Sequence, residues 1–148
     1  MFSSDLSADK IYARLLYQLD DIKVFPENFF EKKNILYDYK KNNPDKTFVV
    51  VNIVNTIHYK YVNNIEGSLQ NYSSYIKIAD QKNHSIDKFN TLISEFNIDH
   101  LKDNPVKLKK IRYGMKNYYI INDGIHRLSI LFNKKYKLLS SYYEIQNN

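Results

Sequence analysis

The residues best equipped for chemistry lie together between Tyr118 and Leu131. An apolar run, Tyr118-Tyr119-Ile120-Ile121, meets Asn122-Asp123-Gly124 and then Ile125-His126-Arg127-Leu128-Ser129-Ile130-Leu131. The run reads as a strand, the polar triplet as a tight turn and the remainder as a helix. The first turn of a helix presents unpaired N–H groups and the positive end of the peptide dipoles, so it attracts anions. Gly124 lets the backbone approach a phosphate closely, and Arg127 can grip one through two parallel hydrogen bonds. His126 can donate to a phosphate oxygen or move a proton. Asp123 is repelled by a bare phosphate, and beside one it makes sense as a ligand to Mg2+ or as a base. The competing reading makes Asp123 the N-cap of the helix. His126 and Arg127, however, sit at the wrong end of an isolated helix dipole, at a cost of about a few tenths of a kcal/mol. A local rule broken by two adjacent residues is expected at a working site.

Other candidates are more dispersed. His58, in Thr56-Ile57-His58-Tyr59-Lys60-Tyr61, follows an apolar strand, where ligand-binding residues of α/β folds collect; a structural hydrogen-bonding role is the alternative. His58, His84, His100 and His126 show no metal-ligand spacing. Lys107, Lys109, Lys110 and Arg112 could line a phosphate channel or bind nucleic acid, or form a solvated strand edge that discourages pairing.

These residues need a scaffold. Ser7 is an N-cap candidate, and Ile11, Leu15 and Leu19 with Tyr12 and Leu16 predict an amphipathic helix over 8–20. A second, less regular helix is expected over 27–41, closed by Asn42-Asn43-Pro44-Asp45. Thr47 to Val54 is a β-branched run that reads as a central strand covered on both faces. From Asn55 to Asn83 the pattern dissolves into Tyr, Asn and Ser, which predicts a substrate-facing loop or lid with at most a short strand over 75–79. Ser85 caps a helix with Ile86, Phe89, Leu92, Ile93 and Phe96 on its apolar face. Pro105 opens a β-hairpin that turns at Gly114, and a last strand is expected over 136–145.

The chain has 148 residues and no cysteine, which excludes disulfides, thiolate metal sites and cysteine nucleophiles. A chain of this length buries roughly 70% of its unfolded surface, so a single domain needs no staples. No run approaches the roughly 18 apolar residues of a membrane span, and Met1-Phe2-Ser3-Ser4-Asp5-Leu6 lacks the order of a signal peptide, so the expected location is the cytoplasm, with no membrane partner. The net charge is +6, and residues 101–148 alone carry 10 Lys/Arg against 3 Asp/Glu. That asymmetry suggests an anionic partner. Against it, Lys, Asn, Ile and Tyr supply 68 residues, so much of the lysine is background. Only Arg14, Arg112 and Arg127 are arginines, and they mark positions where a planar fork is needed.

The unit Asp123-Gly124-Ile125-His126-Arg127-Leu128, set after an apolar strand and within the helix, hairpin and closing strand of about 86–145, resembles the ParB/sulfiredoxin superfamily. The resemblance implies a small mixed β-sheet flanked by helices, an α+β fold in which this turn binds nucleotide phosphates. The whole chain would be one domain, 1–45 forming a helical N-terminal extension and 46–148 the core. Sulfiredoxin carries a catalytic cysteine where Ile125 stands, so sulfinic acid reduction is excluded. Partition-type ParB proteins carry a more arginine-rich motif, which points away from chromosome partitioning. The free serine kinase type, with Asp-Gly-His-His-Arg, differs only at Ile125.

That likeness implies a phosphotransferase using ATP or ADP with Mg2+ and phosphorylating a hydroxyl of an amino acid, sugar or polyol. Asp123 and His126 would be catalytic, Asp123 would also hold the metal, and Gly124, His126 and Arg127 would bind the nucleotide. The base expected from the N-terminal part is matched by no motif; Glu66, in the irregular stretch before Gly67, is the candidate, an exposed loop carboxylate being the equal alternative. His58 and Tyr61 are expected to touch the substrate. The alternative function is a non-catalytic nucleotide- or nucleic-acid-binding protein, or a ParB-like nuclease.

Overall fold

The computed structural model describes residues 5–18, 37–38, 46–78, 85–113, 115–134, 136–140 and 142–145. The strands are β1 (Leu6–Ser7), β2 (Ile11–Gln18), β3 (Tyr37–Asp38), β4 (Lys46–Asn52), β5 (Val106–Tyr113), β6 (Lys116–Asp123), β7 (Leu138–Leu139) and β8 (Tyr142–Ile145). The helices are α1 (Ile57–Val62), α2 (Ser68–Ile78), α3 (Ile86–Glu95), α4 (His100–Asp103) and α5 (Ile125–Asn133). Six strands form one sheet in the order β3-β4-β2-β6-β5-β8, and β1 pairs with β7 in a small second sheet. The large sheet is mixed: β2 runs parallel to β6 and β5 parallel to β8, while its other pairs are antiparallel. The protein is therefore α+β, a mixed sheet flanked by helices.

The helix expected over 8–20 is not formed in its described part. Residues 8–10 make a single 3-10 turn and residues 11–18 are β2, in the middle of the sheet. Ile11, Ala13 and Leu15 are buried and alternate with the half-buried Tyr12 and Arg14. A spacing of four returns to the same side in both a helix and a strand, so Ile11 and Leu15 fit either. Pairing with β4 along Tyr12 to Gln18, and with β6 on the other side, decides for the strand. Of the second expected helix, only Tyr37–Asp38 is described, and it is strand; the rest, with the turn at 42–45, lies outside the described residues.

The loop expected over 55–83, with its short strand over 75–79, is also replaced in its described part, up to residue 78, by α1 and α2, and residues 79–83 lie outside the described residues. Thr56 caps α1, its hydroxyl accepting from the Tyr59 N–H at 3.1 Å. Tyr72 and Tyr75 supply the buried face of α2, so tyrosine does the packing expected of leucine. Elsewhere expectation and structure agree: Ser85 caps α3, accepting from the Lys88 N–H, and β5 and β6 form the hairpin. β5 is an interior strand, however, not a free edge, since β8 covers it along Val106 to Lys109. The final strand is split into β7 and β8. Leu128 to Phe132 of α5 are all buried, which makes α5 the central helix.

Asn52 locks the sheet where β2 begins and β4 ends. Its amide donates to the Ala8 and Ile11 carbonyls at 3.1 Å each, and its carbonyl accepts from the Val54 N–H at 3.2 Å. Removing a buried partner strands the groups it satisfied. Asn52→Ala is expected to lower stability by about 2 kcal/mol, read as a shift in urea midpoint; a change within error would show that these bonds contribute nothing net.

Candidate functional site

The C-terminal end of β6 delivers Asn122 and Asp123 to the mouth of a cleft of about 580 Å3. β2 contributes Ala13, Arg14 and Leu15, α2 contributes Tyr72, Tyr75 and Ile76, and α3 contributes Lys88, Phe89 and Leu92. The first turn of α5 closes it with Gly124, Ile125, His126 and Arg127. The volume lies within the range of small-molecule sites, and apolar side chains share the lining with a larger number of polar and charged ones.

Gly124 has φ +119°, a conformation L side chains rarely adopt, and a Cβ there would lie 2.8 Å from the Cβ of buried Val106 and 3.3 Å from Arg127 Nη2. Glycine is thus required on steric grounds at the β6–α5 turn. Gly124, not Asp123, is the residue that precedes α5, and no side chain caps the helix. The N-cap reading of Asp123 is accordingly corrected: no carboxylate caps the first turn of α5, whose residues Gly124 to Arg127 line the cleft.

Arg127 lies 3.4 Å from Asp123 Oδ2 and donates through Nη1 to the Asn104 carbonyl. Its side chain is 13% exposed against 57% for that of Asp123. The guanidinium is therefore held in place, with two of its N–H groups engaged by these partners. Asp123 is the single carboxylate on the described lining, against the cations Arg14, Lys88 and Arg127. Such an excess of positive charge in a partly desolvated cleft favours an anionic ligand.

His126 is clamped. Its Nε2 lies 2.8 Å from the Tyr72 hydroxyl, and its ring meets those of His58 and Phe89 edge-on, with centroids 4.8 and 4.7 Å away. His58 is buried, also against Tyr72 and Tyr75. Burial, then the neighbouring Tyr61 and Tyr75, push the Tyr72 phenol far above its ordinary range, so it stays protonated.

The cleft thus gathers Asp123, Gly124, His126, Arg127 and His58 from the sequence candidates. It does not gather Glu66, which is exposed in the α1–α2 connection and absent from the lining, nor Tyr61. Tyr61 stacks behind Tyr72 at 5.3 Å and donates to Asn90 Oδ1 at 2.6 Å. Lys107, Lys109, Lys110 and Arg112 also lie outside it. Sequence reasoning missed Lys88, Tyr72, Tyr75, Phe89 and Asn104 as site residues. Arg14 carried a signal in its rarity. No family model, no curated protein and no solved structure matches the chain.

Two outcomes follow from this geometry. Gly124→Ala is expected to cost about 3 kcal/mol, and combining it with Val106→Ala should recover about 1 kcal/mol relative to the sum of the single losses; strictly additive urea midpoints would refute the clash. Burial also raises the pKa values of Tyr12 and Tyr119. Each of these phenols holds its proton in the folded state beyond the exposed value of 10.0, so the unfolded chain deprotonates first. The stability they contribute is complete below about pH 10 and is lost above it. Tyr72→Phe should flatten the alkaline decline by about 1.4 kcal/mol per pH unit, and an unchanged slope would contradict this.

Proposed function

We propose that the cleft holds the phosphates of ATP or ADP and that the protein transfers a phosphoryl group to the hydroxyl of a small metabolite. The observation that carries this reading is the strand-Asp123-Gly124-Ile125-His126-Arg127-helix turn at the wall of a ligand-sized cleft with a threefold excess of cations over carboxylates. The resemblance to the ParB/sulfiredoxin superfamily, and within it to the free serine kinase type, adds the expectation of nucleotide chemistry.

The donor set suits Mg2+ arriving with a nucleotide. No group of three His, Cys, Asp or Glu residues gathers among the described residues. Mg2+ is commonly held by one or two carboxylates with phosphates and water, and Asp123 would be the carboxylate; bound there, the ion would neutralise phosphate charge. The first-turn amides of α5 and Arg127 bind phosphate oxygens, and Arg14 and Lys88 add to the positive field. With Glu66 outside the cleft, Asp123 is the carboxylate at hand to orient the acceptor hydroxyl. The acceptor oxygen bonds to the terminal phosphorus, the bond from phosphorus to the departing nucleotide oxygen breaks, and the hydroxyl proton passes to Asp123. Phosphoryl transfer with a loose transition state depends chiefly on positioning and charge neutralisation, so one carboxylate suffices.

Phosphorus NMR with Mg2+, ATP or ADP and a pool of amino acids, sugars and polyols tests the proposal. Asp123→Asn should reduce turnover at least about 100-fold while nucleotide binding stays within a few-fold, and Arg127→Ala should weaken binding about 10-fold or more. Lys107→Ala and Lys109→Ala should be mild. Absence of both turnover and nucleotide binding in the unaltered protein sinks the reading, and steeply salt-dependent affinity for DNA or RNA that the lysine variants weaken would replace it with the nucleic-acid alternative.

A further inference from the structure

Tyr72 is 1% exposed, and its hydroxyl has one partner among the described residues, Nε2 of His126 at 2.8 Å. A buried phenolic hydrogen without an acceptor is costly. Nε2 is the acceptor on hand, so the phenol donates to it. A neutral imidazole accepting at Nε2 carries its own proton on Nδ1. The stacking of Tyr72 on Tyr61, the contact with Phe89 at 5.2 Å and the anchoring of Tyr61 by Asn90 hold the phenol in that position. His126 is therefore presented from the first turn of α5 as a donor through Nδ1.

We infer that Tyr72 is a positioning residue: through its hydrogen bond to Nε2 it fixes His126 as the Nδ1–H tautomer, making the imidazole a hydrogen-bond donor to a phosphate group in the cleft and not a proton acceptor. This deepens the reading of the cleft as a phosphate site and rests on it. It also assigns the two roles open to His126 from sequence, leaving proton acceptance to Asp123. The raised phenol pKa is consistent with it, since an un-ionised hydroxyl is required to donate.

The test uses the full chain with 15N-labelled histidine, and inorganic pyrophosphate as the probe of the anion site. The 15N shifts should show Nδ1 protonated and Nε2 unprotonated in neutral His126, and Tyr72→Phe should populate the other tautomer. Pyrophosphate affinity should fall about 3- to 10-fold in Tyr72→Phe and similarly in His126→Ala, and the double variant should be no weaker than His126→Ala alone. A purely structural tyrosine would give additive losses and leave the tautomer unchanged, and either result overturns the inference. Urea midpoints confirm that each variant is folded, and Tyr61→Phe, which keeps the Tyr72 hydroxyl, should retain the Nδ1–H tautomer. An Nε2–H tautomer in the unaltered protein overturns this inference alone, whereas failure of pyrophosphate to bind that protein overturns it together with the proposed phosphate site.

Discussion

The turn from β6 into α5 is the constraint on which the rest of the site depends. Gly124 takes φ +119° directly over Val106, and Val106 is fully buried in β5, the hairpin partner of β6. Because nothing larger than hydrogen fits between them, the chain leaves the sheet at a fixed angle and enters α5 at once. Leu128 to Phe132 then run through the core, so the helix cannot rotate to compensate for a change at its start. Every functional orientation at the first turn follows from these two anchors. Arg127 falls one helical turn after Asp123 and meets both its carboxylate and the Asn104 carbonyl, and His126 falls on the side facing α2 and α3, within reach of Tyr72.

The charges are arranged with the same economy. In water an exposed Arg–Asp pair contributes little, and Asp123 is more than half exposed. The pair matters less for stability than for where it leaves the guanidinium. Held by two acceptors on one side and largely shielded from solvent, Arg127 is preorganised beside the uncapped end of α5, so little side-chain freedom is lost when an anion arrives. The rings around His126 act in parallel: His58 and Phe89 meet the imidazole edge-on and hold its plane, and the Tyr72 hydroxyl stands 2.8 Å from its Nε2.

The sequence was most legible where local signals and tertiary needs coincide. Ser85 at the start of α3, the β5–β6 hairpin, and the Asp-Gly turn into α5 each combine a capping or turn residue with the right periodicity, and each is found. Two features concealed the rest. Ile11 and Leu15, four apart, satisfy both a helix stripe and a strand face, and only pairing with β4 and β6, remote in sequence, settles the matter. Tyrosine concealed α2, because Tyr72 and Tyr75, amphipathic residues set among Asn and Ser, do not show the aliphatic stripe from which a helix face is read, yet both are buried. The same misreading hid half of the cleft wall. Glu66 drew attention by lying in a stretch without pattern; once that stretch folds into α1 and α2, Glu66 is left in the exposed connection between them.

The distribution of charge changes meaning accordingly. Across the chain the excess of +6 lies in the last third, yet the cleft draws one of its three cations from β2, one from α3 and one from α5. Lysines of β5 that produce much of the regional excess lie outside it, Lys107 among the exposed residues. Regional net charge is thus a weak guide to this site, because a field inside a cleft depends on which charges share its low-dielectric walls. Ile125 fits this pattern. It is partly buried against the core while also lining the cleft, so the first turn of α5 offers apolar surface at one position and polar function at the next two. An ionisable group at 125 would have to be desolvated against that core, which concentrates the polar chemistry of the turn in His126 and Arg127.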